Sequence, residues 1–285
     1  MDPVKEILLQ YGIKGDWEPI LGLGVANRIY ATNDAILRIA ADHPDSLSDA
    51  YTESVAAPVA RAAGVLTPRL IAFDDSRNLI DRPFSLWERV HGETLGALET
   101  DPLKMPNTWI DLGKQLGLLH TRIKSCPDPK GYLDKPARET RHEELLQQLR
   151  ENQQIEYEDS IRVYEIIEEL KPPIDVETNC CFLHGDLHDK NILCSPKDHL
   201  LAIIDWGDAG WGDPVLDFAS IPLEAVPFVM QGYESEAPGM LGSQPAIGMV
   251  WDKLYLAMKK VLRHPGVSLP LDQLLYFLND GFSTR

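Results

Sequence analysis

The chain has 285 residues, enough for one large domain or two lobes around a cleft, and its 44% hydrophobic and 25% charged content is that of a folded globular protein. With 27 basic against 44 acidic residues the net charge is −17, which repels a phosphate backbone, excludes nucleic acid as an expected partner, and suits either plain solubility or a polycationic ligand. No stretch approaches the ~18 apolar residues of a membrane span, MDPVKEILLQYG lacks the basic and apolar regions of a leader, and Cys126, Cys180, Cys181 and Cys194 have no CxxC spacing; the expectation is a cytoplasmic protein with reduced thiols and no membrane association.

In chain order, Ile20 to Tyr30 and Ala35 to Ala40 read as strands flanking a Thr32-Asn33-Asp34 turn. His43-Pro44-Asp45-Ser46 offers a break and cap before a helix over Leu47 to Ala63, closed by Gly64. Arg69 to Phe73 and Phe84 to Val90 are two further strands around a polar loop at 74–78. From Gly92 the periodicity turns helical: Thr108 to Ile123 is one helix, and Arg138 to Leu170 reads as two, before a break at Lys171-Pro172-Pro173. The domain boundary is set at His91-Gly92, giving lobes of residues 1–91 and 92–285. Beyond it come a strand at Cys181 to Leu183, a hairpin pairing Ile192-Leu193 with Leu200 to Ile204, and a helical tail broken at Pro222, Pro227, Pro238, Pro245, Pro265 and Pro270. The apolar run Ile221 to Met230 is expected to suit a greasy ligand.

The chemistry concentrates in HGDLHDKN, His184 to Asn191, and in Ile203-Ile204-Asp205-Trp206-Gly207-Asp208. An aspartate with four residues between it and an asparagine, then a second aspartate at the end of an aliphatic strand, are the oxygen donors that phosphoryl transfer needs. Asp186 would orient an acceptor hydroxyl, while Asn191 and Asp205 would hold magnesium, a hard cation that prefers such ligands. Gly207 lets the chain turn away after the strand. His184 is read as a structural histidine bracing Asp205, and His188 as undirected. Asp217 is read as a buried brace or cap for the catalytic loop. Asp208 and Glu224 are candidate contacts for a cationic substrate, with solvated surface acids as the alternative.

HGDLHDKNIL followed by IIDWGDAGWGDPVLDFA resembles the paired motifs of the aminoglycoside phosphotransferase and related antibiotic kinase family. The likeness is dense over Phe182 to Ala219 and looser over Ile20 to Gly92. It implies an α+β, bilobal, protein-kinase-like fold, with a small antiparallel-sheet N-lobe, a larger mostly helical C-lobe, and ATP or GTP between them. On that pattern Gly22, Gly24 and Asn27 belong to a phosphate-covering loop. Arg38 stands where protein kinases carry lysine, offering a bidentate cation in place of a point charge. Glu53 would hold Arg38, the Glu88 carbonyl and Val90 amide would meet the base, and Trp87 would back the pocket or simply pack in the core.

These readings converge on a magnesium-dependent phosphotransferase moving the γ-phosphate of ATP or GTP to a hydroxyl of a small molecule. The resemblance and the acidity place an aminoglycoside antibiotic first, with modification as the resistance mechanism. A macrolide kinase, a kinase of choline, homoserine or a sugar, and a nucleotide-binding pseudokinase are the alternatives; the presence of Asp186, Asn191 and Asp205 together argues against the last.

Overall fold

The computed structural model describes residues 2–20, 27–98, 101–135, 138–174 and 180–280. Its first part is a five-stranded antiparallel sheet of β1 (Glu18–Ile20), β2 (Asn27–Ala31), β3 (Ala35–Ala40), β4 (Leu70–Asp74) and β5 (Phe84–Glu88), ordered β1-β2-β3-β5-β4. The side-chain period of two sorts β3 and β5 by face. Ala35, Leu37 and Ile39 join Phe84 and Leu86 in one apolar cluster. Arg38 lies opposite Ser85, and Ile36 opposite Trp87, on the other face. At the β2–β3 turn, the Thr32 hydroxyl accepts the Ala35 N–H at 2.9 Å.

Helix α1 (Pro3–Gln10), which the sequence pattern did not announce, closes the apolar face. Asp2 caps it and Pro3 opens it, but eight residues are marginal as a free helix. Val4, Ile7 and Leu8, spaced to share one side, pack on Leu37 and Phe84 and supply the missing stability. Helix α2 (Pro44–Ala62) begins three residues before the expected Leu47, because proline is compatible with a first helical position.

The second part begins with β6 (Glu93–Thr94), α3 (Leu95–Leu98) and α4 (Pro106–Arg122). Helices α5 (His142–Glu151) and α6 (Tyr157–Ile174) follow, α6 extending past the expected proline break. Strands β7 (Cys181–Leu183), β8 (Ile192–Ser195) and β9 (His199–Ile203) frame the HGDLHDKN segment, and β6 pairs with β8. A further strand, β10 (Gly210–Gly212), pairs with β7. Its Gly-Trp-Gly sequence has no alternation to read, and tertiary pairing alone makes it a strand. Asp198, on the β8–β9 turn, accepts the N–H groups of Asn107 and Thr108 at 3.0 and 2.8 Å and so caps α4.

The tail forms α7 (Val226–Glu236), α8 (Pro245–Arg263) and α9 (Leu271–Asp280), its prolines at or beside helix ends. A β-carbon at Gly113 would lie 1.9 Å from the Val229 carbonyl, and one at Gly232 equally close to that of Ile110, so glycine is what lets α4 and α7 touch. Val226, Val229 and Met230 are buried in the core. Most of the apolar side chains of Ile221 to Met230 thus serve internal packing, with Leu223 and Phe228 only partly buried beside the core.

Candidate active site

The sheet and α2 meet the second part at Arg38. Its Nη1 donates to Glu53 Oε1 at 2.5 Å and its Nη2 to Asp205 Oδ1 at 3.0 Å, so one guanidinium joins β3, α2 and the end of β9. A fork of fixed donors can serve two carboxylates at once, which a lysine point charge does less well. Burial pushes the Glu53 carboxyl up to about 7 against the pull of Arg38; Glu53 also accepts the Trp206 backbone N–H. Burial opposes the Arg38 charge, but Glu53 and Asp205 outweigh it and hold the guanidinium above its ordinary value.

Asp205 follows β9 in a left-handed conformation, φ +68°. That region is sparsely populated by residues other than glycine, although aspartate tolerates it better than most, and such strain concentrates at functional sites. Its side chain is 46% exposed toward the cleft. Across from it, the Asn191 amide donates from Nδ2 to the Asp186 carbonyl at 2.8 Å and more loosely to its carboxylate at 3.4 Å. With the NH₂ group so engaged, the amide oxygen is the atom a cation would meet.

Asp186 has little regular structure to hold it. The His188 Nδ1 accepts the Lys190 N–H at 3.1 Å, which leaves the proton on Nε2, 3.3 Å from Asp186 Oδ2. That contact, working against partial burial, holds the Asp186 carboxyl below its usual range and raises His188 above its own. At the start of the loop, Asp217 is fully buried: it accepts the N–H of His184 and of Gly185, each at 2.9 Å, and lies 3.1 Å from His120 Nε2. Burial works against that charge, but His120 and the loop amides keep its carboxyl below the ordinary value. His120 Nδ1 in turn meets the Tyr233 hydroxyl at 2.9 Å. His184 is buried; its Nε2 reaches the Ile204 carbonyl at 3.0 Å and its Nδ1 accepts the Asp186 N–H at 3.3 Å. Gly185 turns at φ +86°, and a β-carbon there would stand 2.0 Å from the Asp208 carbonyl. The loop is thus fastened on both sides of the glycine.

The remaining residues singled out from sequence fall as follows. Gly22 and Gly24 lie outside the described residues, while Asn27 opens β2 opposite Ala40. Trp87 is 5% exposed, packs in the main core and donates to the Ser85 hydroxyl at 2.8 Å. Glu88 and Val90 line a groove of about 360 Å³ with Arg61, Leu66 and Leu201. Asp208 feels the charge of Asp186, Asp49, Asp134 and Asp205. Glu224 is exposed on the 3-10 turn Leu223–Ala225, where its charge acts on Lys253. Sequence reasoning missed His120, Asp49 and Asp134. His120 carried a signal, a polar residue among the leucines of α4; Asp49 and Asp134 carried none, being gathered by tertiary structure alone.

The architecture is the two-lobed α+β fold of protein-kinase-like enzymes. A model of the phosphotransferase enzyme family matches residues 17–236, and the chain belongs to that family. Among solved structures, the chain is similar to the GDP complex of wild-type aminoglycoside 2'-phosphotransferase-IIIa, at 16% identity and a TM-score of 0.63 over 99% of each chain. It is also similar to the streptomycin–ATP–APH(2")-IIa ternary complex, at 16% identity and 0.59 over 98% of this chain and 96% of that one. A choline/ethanolamine kinase family protein from Mesorhizobium loti gives 18% and 0.57 over 99% and 89%. No curated protein matches the chain. Among the described residues no helix is long and apolar enough to cross a membrane.

Proposed function

We propose that the chain transfers the γ-phosphoryl group of ATP or GTP to a hydroxyl of a small molecule, with an aminoglycoside-like polycation as the acceptor class. The observation that carries the reading is the meeting of Arg38, Glu53 and Asp205 beside the Asp186–Asn191 loop. Neighbours of the same fold bind ATP, GDP, streptomycin and gentamicin, and the net charge of −17 favours a cationic acceptor. The same reading divides the chain at 91/92, supported by β6 pairing with β8 and not with the five-stranded sheet, and places the enzyme in the cytoplasm.

Asp186 orients the acceptor hydroxyl and takes its proton as the oxygen attacks the γ-phosphorus and the bond to the β-phosphate oxygen breaks, releasing a nucleoside diphosphate. Arg38 holds phosphate oxygens while Glu53 fixes its direction. Among the described residues no cluster of three or more His, Cys, Asp or Glu is preassembled for a metal. One carboxylate and one amide oxygen, Asp205 and Asn191, nonetheless fit magnesium, which keeps waters and relies on substrate phosphates for its remaining ligands. When bound there it would neutralise charge developing on the phosphates.

The test is phosphate transfer from ATP and GTP across aminoglycosides, macrolides and choline-like alcohols. Asp186→Asn should lower kcat by roughly 10² to 10⁴ without loss of fold. An unchanged rate would remove Asp186 from the chemistry, and no turnover with any acceptor would favour the pseudokinase.

A further inference from the structure

Two consecutive charged residues of α8, Asp252 and Lys253, are buried at 6% and 8% exposure and take no part in the reaction described above. Neighbours on a helix point about 100° apart, and these two reach opposite ends of one short 3-10 helix, Pro214–Phe218. Lys253 Nζ donates to the carbonyls of Phe218 and Ala219 at 2.9 and 3.2 Å, and to that of Ile221. Asp252 Oδ2 lies 3.2 Å from Arg138 Nη1. The other arm of Arg138 donates to Asp213, whose second oxygen accepts the Val215 N–H at 2.9 Å and caps the start of the turn. Between the two ends sits Asp217, the acceptor of the His184 and Gly185 amides that precede Asp186.

Stability alone is a poor account of this arrangement. Burial pushes the Asp252 carboxyl up to about 7 and the Lys253 amine down to about 7, so both charges are opposed by their surroundings. Apolar residues of similar volume commonly do as well or better than a buried ion pair for stability. What apolar residues cannot do is fix two helix ends in one register, since a carbonyl and a capping carboxylate are held only by directed donors.

We infer that Asp252 and Lys253 are positioning residues, which set Asp217, and through it the His184-Gly185 amides and the Asp186 carboxylate, by clamping the turn Pro214–Phe218 at both ends. This rests on Asp186 being the catalytic base, so one readout is independent of turnover. In the full-length protein, Lys253→Met is expected to lower kcat roughly 10- to 100-fold, the scale of an ångström-level misplacement, while the KM for nucleotide stays within about twofold, because uniform binding is untouched. Amide exchange at His184 and Gly185 is expected to rise at least tenfold in the same variant. The double variant Arg138→Met/Asp252→Leu also takes the guanidinium away from Asp213 and so frees the start of the turn; measured where it retains a cooperative unfolding transition, it is expected to behave alike. Met258→Ala, a buried cavity on the same helix, should lower the melting temperature without changing kcat or exchange at those two amides. Wild-type kcat and exchange in the folded double variant, or an equal effect from Met258→Ala, would overturn the clamp. Loss of exchange protection without any wild-type turnover would uphold the clamp and remove the kinase reading instead.

Discussion

Arg38 reaches Asp205 from the middle of a strand, whereas Asp186 sits on a loop with no ladder of its own. In the sheet, alternation along β3 and its register with β5 decide which way the side chain points, and the apolar cluster on the opposite face keeps it so. In the loop, direction comes from buried polar groups: Asp217, His120 and His184, each hydrogen-bonded to the next or to loop backbone. The sheet can therefore lose a functional side chain and remain a sheet. The loop has its stability and its function in the same hydrogen bonds, so damage to one reaches the other.

The largest effect expected from this contrast is at Asp217. Asp217→Ala removes the acceptor of the His184 and Gly185 amides and leaves the buried His120 without its carboxylate, which should destabilise the protein by about 3–5 kcal/mol and abolish transfer; denaturant unfolding and a phosphorylation assay read the two. Its folded carboxyl lies below the ordinary value of 3.8, so the unfolded chain binds the proton more readily. Its contribution is then complete above 3.8 and lost as pH falls through the lower folded value. Asp217→Asn should flatten acid unfolding in that window, and an unchanged acid limb would place the acid-sensitive group elsewhere.

A smaller effect, of the opposite kind, is expected at Arg38. Arg38→Lys keeps one charge but cannot serve Glu53 and Asp205 together with the same geometry. The expected outcome is a drop in kcat/KM of about tenfold, with stability changed by less than about 1 kcal/mol because the β3 ladder is intact. If unfolding shifts as far as it does for Asp217→Ala, then the sheet and the loop are held alike and the contrast fails.

The same contrast explains what the sequence disclosed. AILRIA is legible as a strand from its aliphatic content, Arg38 is singled out on it by the resemblance alone, and Gly64 and the prolines of the C-terminal tail mark helix ends. HGDLHDKN and IIDWGD point toward phosphoryl transfer because that reaction draws on particular residue types at a particular spacing. Asp49, Asp134 and β10 were not legible: the first two approach Asp208 only once α2 and the 124–135 segment pack, and β10 exists because β7 is beside it. Arg138 and Asp252 are 114 positions apart in the chain, and no local pattern joins them.

The smallest effect tests where the loop meets its acceptor. Burial among loop atoms, then the charges of Asp186, Asp49, Asp134 and Asp205, push Asp208 up to about 6. Its ionised form, the one a cationic acceptor prefers, is lost as pH falls through that value. The KM for a polycationic acceptor should therefore fall about two- to fivefold as pH rises from 5 to 7, the scale of a solvent-screened ion pair, while the KM for a neutral alcohol stays flat. Asp208→Asn should remove the slope and leave kcat unchanged. A slope that survives the substitution would move cation recognition to Asp49 or Asp134, whose carboxyls are also raised, in each case chiefly by burial. The acceptor would then be gripped by groups anchored on α2 and the 124–135 segment, with the catalytic loop contributing only Asp186.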